Sequence, residues 1–261
     1  MVNMSEIIAY LEAFAPKEYA EEYDNVGLLI GDKNKEINKI LVTLDADETI
    51  AEEAKSIGAD LVISHHPLIF SPVRSLTFDN AVSRTIISFI KNDIALYSMH
   101  TNFDSVKSGL NDLFLDKIAK TTNRKTIDGD GENGIGRIAD LESPAKLSLL
   151  LGEIKKEFNL GNLRFIGDEN KIINKIAVVN GGGAEYVFHA KALGADCFVS
   201  GDIKYHQARF AYENDISLIE IPHFSAEIIF SEYVKKLVSI KFKKQVEVFV
   251  SQKNVDIWKT L

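Results

Sequence analysis

The chain repeats itself. Ile37-Asn38-Lys39-Ile40 recurs as Ile173-Asn174-Lys175-Ile176, Ala54-Lys55 as Ala190-Lys191, Gly58-Ala59-Asp60 as Gly194-Ala195-Asp196 and Ser64 as Ser200, all at one offset without a gap. One such tetrad can arise by chance; three blocks in register point to a duplicated folding unit. Each copy reads as strand, helix, strand, helix, strand. In the first, residues 39–44 form a short apolar run suited to a buried strand. Residues 47–57 follow as a helix with Ile50, Ala54 and Ile57 inward and Gly58 as its stop. Residues 61–63 are a strand, 81–91 a helix with Ile86, Ile87 and Ile90 inward, and 94–98 a strand. The second copy runs 175–179, 184–193, 197–199, a helix at 206–213 and a strand at 216–221. This alternation predicts an α/β fold of two related lobes, each a βαβαβ unit with a parallel sheet and right-handed crossovers. Ligands of such sheets collect at the carboxyl ends of the strands, so a site between the lobes is expected there.

The remaining segments decorate this frame. Residues 1–15 read as an amphipathic helix capped by Ser5, with Ile7, Ile8, Leu11 and Phe14 on one side. Residues 121–132, rich in Thr, Asn, Asp and Gly, read as a linker or exposed loop. A strand at 136–141, a helix opened by Ser143-Pro144 and a strand at 162–166 follow. A helix at 225–239 and an alternating strand at 246–250 end the chain. The expected division is a first lobe over 1–125, a second over 126–222, and a C-terminal helix and strand, 223–261, returning to the first.

Composition limits the function classes. The net charge of -8 argues against a broad phosphate-backbone surface, so nucleic acid is not an expected partner. The single cysteine, Cys197, excludes an internal disulfide and a sulfur-rich zinc site. It lies in the apolar run Cys197-Phe198-Val199 and reads as a buried, inert thiol of a reducing compartment. No basic leader opens the chain and no uncharged apolar run approaches the roughly 20 residues of a membrane helix. A cytoplasmic protein with no membrane partner is expected.

The chemistry sits at the strand ends. His65-His66 directly follow the second strand of the first copy, and Pro67 ends it. Adjacent strand side chains point to opposite faces, so both imidazoles can join one cluster only if the backbone turns. His100 and Asp104 follow the third strand of the first copy; His223 and Glu227 follow the third strand of the second. Both pairs are His-x-x-x-carboxylate, and residues four apart share a helix face, with Pro222 favourable at the helix start. If the copies pack with their carboxyl ends facing, six metal-competent residues converge. Imidazole with carboxylate suits Zn, Fe, Mn, Co or Ni rather than an all-oxygen Mg or Ca site. Five or six ligands exceed one tetrahedral catalytic zinc with an open position. They suit two ions about 3.5–4 Å apart. A histidine is more often a structural hydrogen-bond partner than a ligand; matched pairs at matched strand ends weigh against that reading here.

Other features carry less. Asn180-Gly181-Gly182-Gly183 joins a strand to a helix and is either a phosphate cradle at a helix N-terminus or a plain tight turn. It lacks the Gly-x-Gly-x-x-Gly spacing of a dinucleotide fold. Gly201-Asp202 takes the place of His65-His66 in the second copy, with His206 nearby; substrate contact and helix capping both fit. His189 reads as structural, and Glu22 to Leu28 as a structured turn.

Taken together, Tyr23-Asp24-Asn25-x-Gly27-Leu28, Ser64-His65-His66-Pro67, His100-Thr101-Asn102-x-Asp104, Ser200-Gly201-Asp202 and His223-x-x-x-Glu227 resemble one family, the GTP cyclohydrolase I type 2 homologues related to NGG-interacting factor three. The motifs span nearly the whole chain in order. Many members carry Trp where this chain has Tyr23, and either ring can pack a loop. The resemblance implies a two-lobed α/β protein assembled as a ring-shaped homohexamer. It implies two metal ions (Zn, Fe or Mn) held by His65, His66, Asp104, His223 and a bridging Glu227, with His100 beside them. Two functions follow as expectations. One is a metal-dependent hydrolase acting on a small molecule such as a nucleotide, up to opening of the GTP imidazole ring with loss of formate. There His100 serves as acid or base, and Gly181, Gly182, Gly183, Asp202 and His206 contact substrate. The other is a non-catalytic metal-binding protein, a metallochaperone or regulatory scaffold.

Overall fold

The computed structural model describes residues 1–259, Asp130 by its backbone alone. Two units divide the chain: Met1–Phe103 with Phe230–Leu261, and Asp104–Ile229. The architecture is mixed α/β.

In the first unit, five strands run in the spatial order Glu247–Val250, Lys39–Thr43, Leu61–Ser64, Ala95–Ser98, Gly27–Ile30. The first four are parallel, and Gly27–Ile30 closes the edge antiparallel. The Leu61–Ser64 and Ala95–Ser98 strands are buried throughout, which explains why they read as short apolar runs rather than alternating ones. Helices Glu48–Ile57 and Ala81–Lys91 are the crossovers. The Asp47 carboxylate caps the first by accepting from the Ile50 amide at 2.8 Å, and Gly58 ends it with φ 68°, a conformation only glycine adopts cheaply. Ile50, Ala54, Ile86 and Phe89 pack with Leu41, Val62 and Leu96 into one core.

Two local expectations are corrected here. Ile90 is 57% exposed and Phe89 fully buried: the stripe that continues from Ser83 and Ile86 in helical phase reaches Phe89, and Ile90 lies one residue past it. The N-terminal helix is Met4–Phe14, capped by Asn3 rather than Ser5, since Asn3 Oδ1 accepts from the Ser5 amide at 2.9 Å. Its buried stripe is Met4, Ile7 and Leu11.

In the second unit, six strands run Arg164–Ile166, Ser217–Glu220, Cys197–Ser200, Ile172–Val178, Arg137–Lys146, Thr121–Lys125. The Ile172–Val178, Cys197–Ser200 and Ser217–Glu220 strands are mutually parallel; the flanking ones are antiparallel. Helices Val187–Ala192 and Tyr205–Glu213 lie between the parallel strands in sequence, the first preceded by a tight turn at Ala184–Tyr186. The segment expected as a loop at 121–132 contains the edge strand Thr121–Lys125 and a hairpin strand Asp128–Asp130; none of the Thr121–Lys125 side chains is buried, so a polar composition is compatible with pairing. Ser143-Pro144 opens no helix. Both lie in the Arg137–Lys146 strand, where the register shifts between Asp140 and Ala145, and such an irregularity accommodates a proline that cannot donate to the ladder. The helix begins at Leu147. The helix expected at 225–239 is two, His223–Glu227 and Ile229–Lys241.

One bracket recurs in both units. Asp60 Oδ2 accepts from the Asn38 and Lys39 amides at 2.7 and 3.0 Å; Asp196 Oδ2 accepts from the Asn174 and Lys175 amides at 2.8 and 2.9 Å. Each ties the residue before one parallel strand to its neighbour, at the start of Lys39–Thr43 in the first unit and within Ile172–Val178 in the second. Cys197 is fully buried and its thiol is pushed up to about 12 by desolvation, which keeps it unreactive. Among the described residues, no helix is long and apolar enough to cross a membrane.

Candidate metal centre

The first unit gathers three imidazoles at the carboxyl ends of its parallel strands. The backbone turn that His65 and His66 require is present: both amides donate to the Leu44 carbonyl, at 3.1 and 2.9 Å, so the strand ladder breaks there. The Ser64 hydroxyl lies 2.8 Å from that of Ser98 and donates to the His66 carbonyl at 2.9 Å, bracing the turn. Ring centroids of His65 are 5.1 Å from those of His66 and His100, and the His66 and His100 rings are 5.5 Å apart. One nitrogen from each of the three lies within 4.8 Å of the others. Phe230 packs 5.0 Å from the His65 ring, giving the cluster an apolar wall. His100 thus belongs to a group able to hold an ion, beyond the acid–base role expected of it.

Each ring is fixed from behind. His65 Nδ1 donates to the Met99 carbonyl at 2.8 Å, His66 Nδ1 to Asp45 Oδ1 at 2.8 Å, and His100 Nδ1 to Asp24 Oδ1 at 2.9 Å. Burial pushes the Asp24 carboxyl up, but the hydrogen bond and charge of His100, with the hydroxyl and amide of Thr101, outweigh it and hold the group at about 2.

The second unit gathers carboxylates. Asp104 and Glu227 are buried, 8% and 3% exposed, and one nitrogen, Asn180 Nδ2, donates to both: to Asp104 Oδ1 at 3.0 Å and to Glu227 Oε1 at 2.9 Å. His223 and Glu227 face each other along their short helix, Nε2 to Oε2 at 2.9 Å, as their spacing of four predicts. Behind the ring, His223 Nδ1 donates to Asp202 Oδ2 at 2.7 Å. Burial pulls this imidazole down, but Glu227 and Asp202 outweigh it and raise it to about 9. Gly181 has φ +57°, and a Cβ there would run into the Glu227 carboxylate and lie 3.0 Å from His223 Nε2. The glycine makes room for these two side chains. A Cβ on Gly183 would collide with Val179, whereas one on Gly182 would make ordinary contact with Asp202, at 3.4 Å, and the His223 ring. His206 stands exposed on its helix against the Tyr205 ring.

The donor chemistry fits a divalent transition metal. In all four histidines Nδ1 is committed as a donor to a carbonyl or carboxylate, which leaves Nε2 as the nitrogen offered to a ligand. That arrangement is the usual backing of a metal-bound imidazole. Sequence reasoning did not single out Asp24, Asp45 or Asn180 as partners. Asp24 and Asn180 stood inside quoted motifs, but nothing in a linear reading pairs them with a histidine or a carboxylate far along the chain.

Comparison with known proteins identifies the relatives of this chain. The family described as Duf34/NIF3 (NGG1p interacting factor 3) matches residues 2–256. A Clostridium perfringens protein named GTP cyclohydrolase 1 type 2 homolog is 40% identical, covering 98% of each chain; a Clostridium acetobutylicum protein of the same name is 35% identical, covering 99% of this chain and 98% of its own. Among solved structures, a Staphylococcus aureus protein superposes with TM-score 0.91 at 30% identity, covering 100% and 99% of the two chains. Reduced HcgD from Methanocaldococcus jannaschii superposes with TM-score 0.84 at 31% identity, covering 96% and 98%.

Proposed function

The chain belongs to the Duf34/NIF3 family, and on that premise we propose that it is a dinuclear metal protein acting as a metal-dependent hydrolase on a small, nucleotide-like substrate. The observation that carries the reading is the uniform backing of His65, His66, His100 and His223 through Nδ1. Four chance histidines would not all be held this way. We propose that His65, His66, Asp104, His223 and Glu227 would hold two ions, Zn, Fe or Mn. Such ions supply Lewis acidity and lower the pKa of bound water.

The protein's own residues do the rest. Asp24 holds His100 in one tautomer, so the proton it carries or accepts during turnover sits on Nε2. Asp45 and Asp202 orient His66 and His223. Gly181, Gly182 and Gly183, with Asp202 and His206, are proposed to contact substrate, Gly182 lying beside Asp202 and His223. The name shared by the relatives supports GTP as the first substrate to test, with opening of its imidazole ring and release of formate. The family likeness also supports a ring-shaped homohexamer and a cytoplasmic location.

The test is formate release from GTP by protein loaded with Zn or Mn. Activity is expected in the wild type and expected to be lost in Asp104→Ala and Glu227→Ala. Metal-loaded protein that releases no formate and cleaves no member of a nucleotide and phosphoester panel rules the hydrolase out, and leaves the metal in a delivery or scaffolding role.

A further inference from the structure

Building on the metal reading above, we propose that Asn180 is a positioning residue that spaces Asp104 and Glu227 for metal binding, holding one oxygen of each with the two hydrogens of a single amide nitrogen. The geometry is specific. Asn180 Nδ2 lies 3.0 Å from Asp104 Oδ1 and 2.9 Å from Glu227 Oε1, and an amide nitrogen has two hydrogens to give. Both carboxylates are nearly buried, so few other groups can set the distance between them. A single donor shared by one oxygen of each fixes that distance.

Asn180 is itself held in place. Its backbone amide donates to Asn111 Oδ1 at 2.9 Å, and Asn111 Nδ2 donates to the Asp104 carbonyl at 3.2 Å. Asn111 is fully buried, so the spacer and one of the carboxylates it spaces hang from the same side chain. The next residue, Gly181, leaves the volume that Glu227 fills. Glu227 Oε2 faces His223 Nε2, so the amide takes one glutamate oxygen and leaves the other toward the imidazole.

The other end of Asn180 argues against a role in fold stability alone. Its carboxylate partners fix which way the amide points, and Oδ1, turned the other way, is buried with no hydrogen-bond partner among the described residues. An unsatisfied buried carbonyl costs stability. A side chain kept for packing would be expected to satisfy both ends; this one satisfies only the end that touches the carboxylates.

The experiment uses the full chain and Co2+, whose visible absorption reads ligand number and geometry. Wild type, Asn180→Ala and Asn180→Asp are compared by chelator competition and by the absorption of the Co2+-loaded protein, with circular dichroism checking that each is folded. Asn180→Ala is expected to bind Co2+ about 10–100-fold more weakly with displaced absorption bands. Asn180→Asp keeps the shape but replaces donors with acceptors, and it too is expected to displace the bands. Asn180→Ala with wild-type affinity and wild-type bands overturns the proposal. If that variant does not fold, unchanged bands in Asn180→Asp overturn it instead. A wild type that takes up no Co2+ sinks the metal reading, and the spacer with it; a wild type that binds normally confines any failure to Asn180.

Discussion

The two units carry unlike groups of candidate metal donors. The first offers three imidazoles, each held by a carbonyl or carboxylate behind it, with the His65 ring set against that of Phe230. The second offers two buried carboxylates and one imidazole, cross-linked by an amide. The imidazole half is built by backbone: a broken strand ladder turns two adjacent residues into one cluster. The carboxylate half is built by side chains, because like charges need a mediator and a raised imidazole to coexist. Neutral nitrogen donors need only be aimed, whereas anionic donors must also be kept from repelling one another.

That contrast predicts different metal preferences. Deleting a proposed ligand from either unit, as in His65→Ala or Glu227→Ala, is expected to weaken metal binding by at least about 100-fold, more than removing a residue that only holds a ligand in place. The imidazole deletion is expected to penalise Zn more than Mn and the carboxylate deletion the reverse, by about tenfold or roughly 1.4 kcal/mol. Chelator competition with both metals measures this, and equal penalties would break the distinction between the halves.

A second test concerns crowding in the carboxylate half. Gly181→Ala forces a Cβ into the Glu227 carboxylate at a positive φ, and about 2–4 kcal/mol of stability is expected to be lost. Gly182→Ala, one residue on, where the added Cβ makes only ordinary van der Waals contacts, is expected to cost less than about 0.5 kcal/mol. Urea unfolding of the two metal-free variants compares them; similar midpoints would mean Glu227 is not confined.

The smallest expected effect is on pH dependence in the metal-free protein. His223 is raised from 6.5 to about 9, so its contribution is complete below about pH 6.5 and is lost as pH rises through about 9. Asp24 is lowered from 3.8 to about 2, so its contribution is complete above about pH 4 and is lost as pH falls through about 2. Asp202→Asn is expected to flatten the alkaline limb and Asp24→Asn the acid limb. Crossed effects, with each variant altering the other limb, would contradict the assignment.

Much of this architecture could be read from residue patterns, for identifiable reasons. The central parallel strands were legible because they are buried on both sides and so continuously apolar. His65, His66, His100 and His223 were legible because they follow strands directly. Thr121–Lys125 was not, because an edge strand with exposed side chains has a loop's composition. Ser143-Pro144 misled because proline marks a helix start and a strand irregularity equally well. The single helix expected over 225–239 missed the break before Ile229, which no glycine or proline announces. Asp24, Asp45 and Asn180 could not be assigned their partners because those contacts join residues distant along the chain.

The carboxylate bracket at the start of each sheet acts as a ruler. Asp60 ties its own strand to the onset of the neighbouring one, at the edge of the sheet remote from the imidazoles. Counting forward from that fixed mark decides which side chain emerges where the strand gives out. A deletion of one residue within Leu61–Ser64 would invert every face beyond the mark, sending the His65 ring away from the Met99 carbonyl and the His66 ring away from Asp45. The number of residues between this aspartate and the histidine doublet therefore sets where both rings point.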